Sequence, residues 1–140
     1  MTWETGDDAP PGVDLQILVS AVASEVSGIR HAVRAAAGAS GMSGGDRDDV
    51  ALAVSEACSN VVAHAYRDAA APGPLLVETY RRDGEFVVIV SDEGTGIAPR
   101  ATSPGAGFGL ALIARLTERL ELGSNGLGGA KVTMAFARAG

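Results

Sequence analysis

Aromatic residues make up only 4% of this 140-residue chain, which has one cysteine, one tryptophan and two histidines. A single thiol, Cys58, cannot close an internal disulfide, which excludes a cystine-stapled scaffold and suits a reducing compartment. Cations are also scarce. Lys and Arg number 11 against 17 Asp and Glu, a formal charge of -6, and they form no basic run. Nucleic acids and anionic membranes select for clustered cations, so neither partner is expected. Charges or glycines interrupt every apolar stretch short of the roughly 20 residues that span a bilayer. The acidic start, residues 1–12 with Glu4, Asp7, Asp8, Pro10 and Pro11, lacks the basic and apolar regions of a signal peptide. It reads as a short disordered lead, and the expected location is cytoplasmic.

Hydrophobic residues, at 46%, suffice for one buried core, and one domain over residues 13–140 is expected. Apolar Val13, Leu15 and Ile17 alternate with polar neighbours, a period of two that predicts an opening strand over Val13 to Val19. Val26, Ile29, Val33 and Ala37 recur at helical spacing, predicting a helix from about Ser24 that Gly38 and Gly41 end. A second helix is expected from an Asp46 cap to about Tyr66, on the apolar stripe Val50, Val54, Ala57 and Val61. Leu75 to Tyr80 and Phe86 to Val90 flank an Asp83-Gly84 turn and read as a hairpin. Leu110, Ile113, Leu116 and Leu120 predict a third helix. Leu120 to Ser124 and Lys131 to Phe136 predict a second hairpin around Asn125-Gly126. Strands that arrive in hairpins imply an α+β two-layer sandwich, its sheet mixed but mainly antiparallel and its helices on one face.

Glycines at 94, 96, 105, 107 and 109 and prolines at 99 and 104 predict a long loop between Asp92 and Gly109. Long ordered loops in small domains usually carry function. On the second helix, Glu56, Asn60 and His64 lie at i, i+4 and i+8 and so line one face. An amide oxygen is a hard ligand suited to Mg, and a carboxylate can take a proton from an attacking hydroxyl. An amphipathic helix can also carry such residues as its solvated face. Asp92-Glu93-Gly94-Thr95-Gly96 follows an apolar strand directly. There the glycines would permit positive φ and close approach to a flat ring, and Asp92 could accept from an exocyclic amine. A plain surface turn would use the same residues. Gly105-Ala106-Gly107-Phe108-Gly109 precedes a helix whose first amides could hold phosphate oxygens, but in a chain with 19 glycines such a string is weak by itself. It lacks the Lys-Ser or Lys-Thr of a P-loop and the βαβ context of a dinucleotide fingerprint.

In this order, a helix with Glu56 and Asn60, D-x-G-x-G after a strand and G-x-G-x-G before a helix, the segments resemble the N, G1 and G2 boxes of the GHKL ATPase superfamily. The resemblance spans Val13 to Ala137. Leu52 to Tyr66 (LAVSEACSNVVAHAY), Ser91 to Ile97 and Gly107 to Ile113 are most similar to the anti-sigma-factor serine kinases of bacterial partner-switching systems. That likeness implies the Bergerat, or histidine-kinase-like ATPase, fold and use of ATP and Mg. It further implies that Glu56 is the catalytic base, that Asn60 holds Mg, and that Asp92 reads the adenine amino group above Gly94 and Gly96. Gly105, Gly107 and Gly109, with Phe108 between them, would form the lid over the phosphates. One departure is Gly128-Gly129-Ala130, where the family usually has a Thr or Ser whose hydroxyl supports the Asp–adenine contact.

The implied activity is an ATP-dependent serine/threonine-protein kinase acting as an anti-sigma factor. Its partners would be a sigma factor and a STAS-type anti-anti-sigma protein, with a homodimer expected. The alternative is a non-catalytic nucleotide-binding module that sequesters a regulatory partner. The ATPase half of a histidine kinase would need a phosphoacceptor histidine on an upstream dimerisation helix. His31, on the first helix inside the domain, reads as an ordinary helix residue. Arg30 and Arg34 on that helix are either partner contacts or solvated side chains.

Overall fold

Asp83 and Gly84 both adopt positive φ, 37° and 80°, and join Arg82 to its cross-strand partner Glu85. This two-residue turn has the twist that antiparallel neighbours require, and Asp-Gly supplies it at low cost. The computed structural model describes residues 13–94, 109–124 and 128–138 in full, and of residues 2–5 and 106–108 the backbone. The strands are β1 (Thr2–Thr5), β2 (Leu15–Ser20), β3 (Pro74–Arg82), β4 (Glu85–Asp92), β5 (Arg119–Ser124) and β6 (Ala130–Ala137). The helices are α1 (Val26–Ala39), α2 (Gly44–Asn60) and α3 (Ala106–Leu116). One six-stranded sheet runs in the order β1-β2-β3-β4-β6-β5, and every pairing is antiparallel. The expected α+β sandwich is thus present, its described sheet wholly antiparallel where a mixed one was anticipated.

β1 corrects part of the irregular lead expected over residues 1–12. Thr2–Thr5 pairs with Leu15–Leu18 of β2. Thr and Trp favour extended backbone, and the pairing satisfies amides that β2 would otherwise present at an open edge. Residues 6–12 lie outside the described residues, as does the Asn125-Gly126 turn, although the strands expected on either side of that turn do pair.

The core lies between the sheet and the three helices. Ile17, Leu75, Val77, Phe86, Val88, Val90 and Met134 alternate toward it from the strands, and Ile29, Val33, Val50, Val54 and Ile113 from the helices. The opposite sheet face is more open, with Leu18 52% exposed.

Several helix boundaries differ from expectation: α2 stops at Asn60 rather than about Tyr66, and α3 starts at Ala106 and stops at Leu116, leaving Leu120 to β5. α1 continues through Gly38 and stops at Gly41, whose φ is +95°. The Gly41 amide donates to the Gly38 carbonyl and the Met42 amide to the Ala37 carbonyl, at 3.0 and 3.2 Å, with Met42 buried behind them. That pattern is a Schellman stop, which needs the left-handed residue that glycine supplies. Gly38 is instead a point of close approach, because a Cβ there would lie 3.0 Å from Cδ of Arg47. The cap of α2 is Ser43 rather than Asp46. The Ser43 hydroxyl accepts from the Asp46 amide at 3.2 Å, and the acidic Asp46 falls in the first turn, where it complements the helix dipole.

Cys58 is fully buried in α2, and burial pushes its thiol from the ordinary 9.0 up to about 12. Two outcomes are expected. A thiol reagent at pH 8 should leave the native protein unlabelled and react once denaturant unfolds it. Between pH 9 and about 12 the unfolded thiol ionises while the folded one stays neutral, so stability should fall across that window. Denaturant titrations at pH 8 and 10 measure the fall.

Candidate nucleotide site

Glu56 and Asn60 sit one turn apart on α2, both half-buried. A Cβ built on Gly109, in the first turns of α3, would lie 3.2 Å from Asn60 Nδ2, 3.3 Å from Asn60 Oδ1 and 3.5 Å from Glu56 Oε2. The two polar groups therefore converge on one spot, and the absence of a side chain at Gly109 lets α3 approach them. The i, i+4 spacing put the pair on one face, and the packing of α3 adds Gly109 to it.

His64 departs from that line. α-Helical winding ends at Asn60, and Val61–Ala65 form a π turn. Bonding from i to i+5 widens the turn, so His64 does not follow Asn60 at α-helical spacing. Its Nδ1 is buried and finds no hydrogen-bond partner among the described residues.

The π turn delivers Ala65 and Tyr66 to the end of β4. Asp92, the last residue of β4, is 7% exposed, and its Oδ1 accepts from the Gly94 amide at 2.9 Å and the Ala130 amide at 3.3 Å. Both of these donors are backbone groups. Ala130, where the sequence reading missed a Thr or Ser, supplies its amide instead. Gly94 does not adopt the positive φ expected of it. What it provides is clearance: a Cβ there would overlap the Ala65 carbonyl oxygen and lie 2.8 Å from the carbonyl carbon. Gly94→Ala is accordingly expected to cost about 1–3 kcal/mol by overpacking, read as a lower urea midpoint at unchanged slope.

The Tyr66 hydroxyl donates to the Pro74 carbonyl and accepts from the Glu93 amide, the latter at 2.7 Å. Burial raises its pKa, with the charges of Asp92 and Glu93 adding to the rise and the Glu93 amide opposing it, so it stays a phenol at neutral pH. Sequence reasoning passed over Tyr66, because its partners lie 8 and 27 residues away along the chain. Gly107 and Phe108 are in the first turn of α3, where a loop was expected, while Gly96 and Gly105 lie outside the described residues.

The donor set suits Mg with a nucleotide. No group of three or more His, Cys, Asp or Glu side chains gathers into a metal cage among the described residues. Mg commonly takes one or two protein ligands and completes its shell with phosphate oxygens and water, a role that one amide oxygen can fill. Asn60, stacked with Glu56 against a helix opened by glycine, offers that oxygen.

An antiparallel sheet with its helices on one face, and a π turn meeting the turn that follows a central strand, define an α+β two-layer sandwich. The family model described as the histidine kinase-like ATPase domain matches residues 19–136, and the chain belongs to that family. The chain is similar to the serine-protein kinase RsbW of Halalkalibacterium halodurans, with 28% identity over 123 residues, 77% of this chain and 74% of the relative. Among solved structures it resembles the RsbU and RsbW domains of a Mycobacterium tuberculosis protein, with a TM-score of 0.66 and 22% identity. That match covers 87% of this chain and 32% of the other, so the chain spans about a third of that structure's length, and the likeness is one of fold. Among the described residues no helix is long and apolar enough to cross a membrane.

Proposed function

We propose that this chain is an ATP-dependent serine/threonine-protein kinase that acts as an anti-sigma factor, binding a sigma factor and phosphorylating a STAS-type anti-anti-sigma protein. The observation that supports this reading is the convergence of Glu56 and Asn60 on Gly109, which puts a carboxylate beside an amide oxygen. The likeness to a serine-protein kinase supports phosphate transfer to a hydroxyl.

In this reading Glu56 accepts the proton of the acceptor Ser or Thr hydroxyl as it attacks the terminal phosphate. Asn60 holds Mg, which when bound screens the phosphate charge. Asp92, fixed by two backbone amides, accepts from the adenine amino group, with Gly94 and Gly96 forming the floor of the pocket. The first turn of α3, with Gly107, Phe108 and Gly109, lies toward the phosphates, its amides and helix dipole favour their charge, and Gly105 just before it belongs to the same phosphate lid. The protein works in the cytoplasm as a homodimer, and the phosphorylation state of the STAS protein decides which partner it holds.

Incubating the purified chain with Mg, labelled ATP and a STAS protein tests this. Label on a Ser or Thr of the STAS protein is the expected result. A chain that binds the sigma factor but transfers no label would be the sequestering module instead.

A further inference from the structure

Tyr66 is the residue at which three segments of the site meet. It follows the π turn Val61–Ala65, and its ring lies so close to Gly73 that a Cβ there would be 2.7 Å from Tyr66 Cζ. Its hydroxyl donates to the Pro74 carbonyl and accepts from the Glu93 amide. A phenol has one proton to give and lone pairs to accept with, so both bonds use the group fully.

The Glu93 amide lies one residue beyond the last ladder pair of β4, Leu75 with Asp92. Past that point the Tyr66 oxygen takes the place of a neighbouring strand. One residue to either side of Glu93 are Asp92 and Gly94, joined by the bond from the Gly94 amide to the Asp92 carboxylate. Gly94 in turn rests on the carbonyl of Ala65, the residue before Tyr66. The Asp92-Glu93-Gly94 turn is therefore clamped at two adjacent points by two adjacent residues at the end of the π turn that follows α2.

We propose that Tyr66 is a positioning residue for nucleotide selection: its hydroxyl holds the turn after β4 against the end of the π turn and thereby sets the aim of the Asp92 carboxylate at the adenine amino group. The proposal rests on the reading of Asp92 given above. It separates the ring from the hydroxyl. The ring fills space against Gly73 and serves the fold. The hydroxyl bridges a part-buried carbonyl and an exposed amide, which water can satisfy in its absence, so its removal should cost selection more than stability.

The test compares ATP with purine riboside triphosphate, which has hydrogen in place of the amino group, by titration calorimetry on the full chain with Mg. Wild type should prefer ATP by about tenfold or more, the worth of a hydrogen bond to a charged group. Tyr66→Phe, which keeps the ring, should raise the ATP dissociation constant about tenfold and leave that of the analogue within about twofold. Its melting temperature without nucleotide should stay within a few degrees of wild type. Combined with Asp92→Asn, it should add no further loss, because both changes remove one interaction.

Equal weakening of both nucleotides would assign Tyr66 a merely structural role and overturn the proposal, and so would an unchanged preference for ATP. Failure of the reading beneath it looks different. A wild type that binds both nucleotides equally removes the Asp92 contact, and one that binds neither removes the nucleotide site, each taking the proposal with it.

Discussion

Glu56→Ala is expected to lower phosphate transfer by about 10²- to 10⁴-fold, the usual contribution of a positioned general base, while ATP binding stays within about twofold of wild type. The split between the two readouts is what identifies a base. Glu56 is half-buried on α2 beside Asn60, and Asn60 remains in place when the carboxylate is removed. Ground-state contacts to the nucleotide are then unchanged, and only the proton acceptor is missing from the transition state. Glu56→Gln sharpens the comparison, because it keeps shape and hydrogen bonding but cannot take the proton at neutral pH. Single-turnover transfer of labelled phosphate to the STAS protein measures the chemistry, and the ATP-dependent shift in melting temperature measures binding. Transfer that survives either substitution would remove Glu56 from this role. Loss of the thermal shift together with transfer would make Glu56 a binding residue.

Asp92→Ala should abolish most of the stabilisation that ATP confers. A hydrogen bond to a charged group is worth about 1.5–3 kcal/mol, so affinity should fall roughly ten- to more than a hundredfold. At an ATP concentration a hundred times the wild-type dissociation constant, ligand binding stabilises by about 2.7 kcal/mol, and a hundredfold weaker variant would show only a small remnant. The apo protein should also lose stability. Removing the carboxylate takes away the acceptor shared by the Gly94 and Ala130 amides, and a buried donor left without a partner costs about 1–3 kcal/mol. Asp92→Asn retains an oxygen for those amides and should recover part of the apo stability without the ATP response. An Asp92→Ala protein with the full ATP-dependent shift would show that this carboxylate does not read the nucleotide.

The two predictions draw on residues that were legible to different degrees. Glu56 and Asn60 could be paired from the chain alone, because four residues bring a helix back to the same face. Asp92 could be placed at a strand end because an apolar run stops there and glycines begin. Its donor at Ala130 could not be foreseen: that residue lies 38 residues away, and the chain at that position offers only the loss of a hydroxyl. Asp46 was the cap the local pattern suggested, and the structure gives that place to Ser43, three residues earlier. The π turn had no signature either. The run VVAHAY is as compatible with continued α-helix as with the wider winding observed, whose end is tied by Tyr66 to Pro74 and Glu93.

Gly94 shows the difference most directly. Its place after Asp92 suggested freedom for positive φ and close approach to a flat ring, yet its φ is not positive and what it avoids is the Ala65 carbonyl. Sequence by itself determined the features with short-range causes: the strand and helix periods, the Asp83-Gly84 turn, the Glu56–Asn60 face and the α+β order of elements. Tertiary structure decided whatever depends on two segments approaching each other, namely which amides hold Asp92, why Gly109 and Gly94 lack side chains, and that Tyr66 clamps the turn. Periodicity and turn chemistry act over a few residues and leave their mark in the local sequence. A clearance or a clamp depends on an element tens of residues away, whose approach exists only once the sheet and helices have packed.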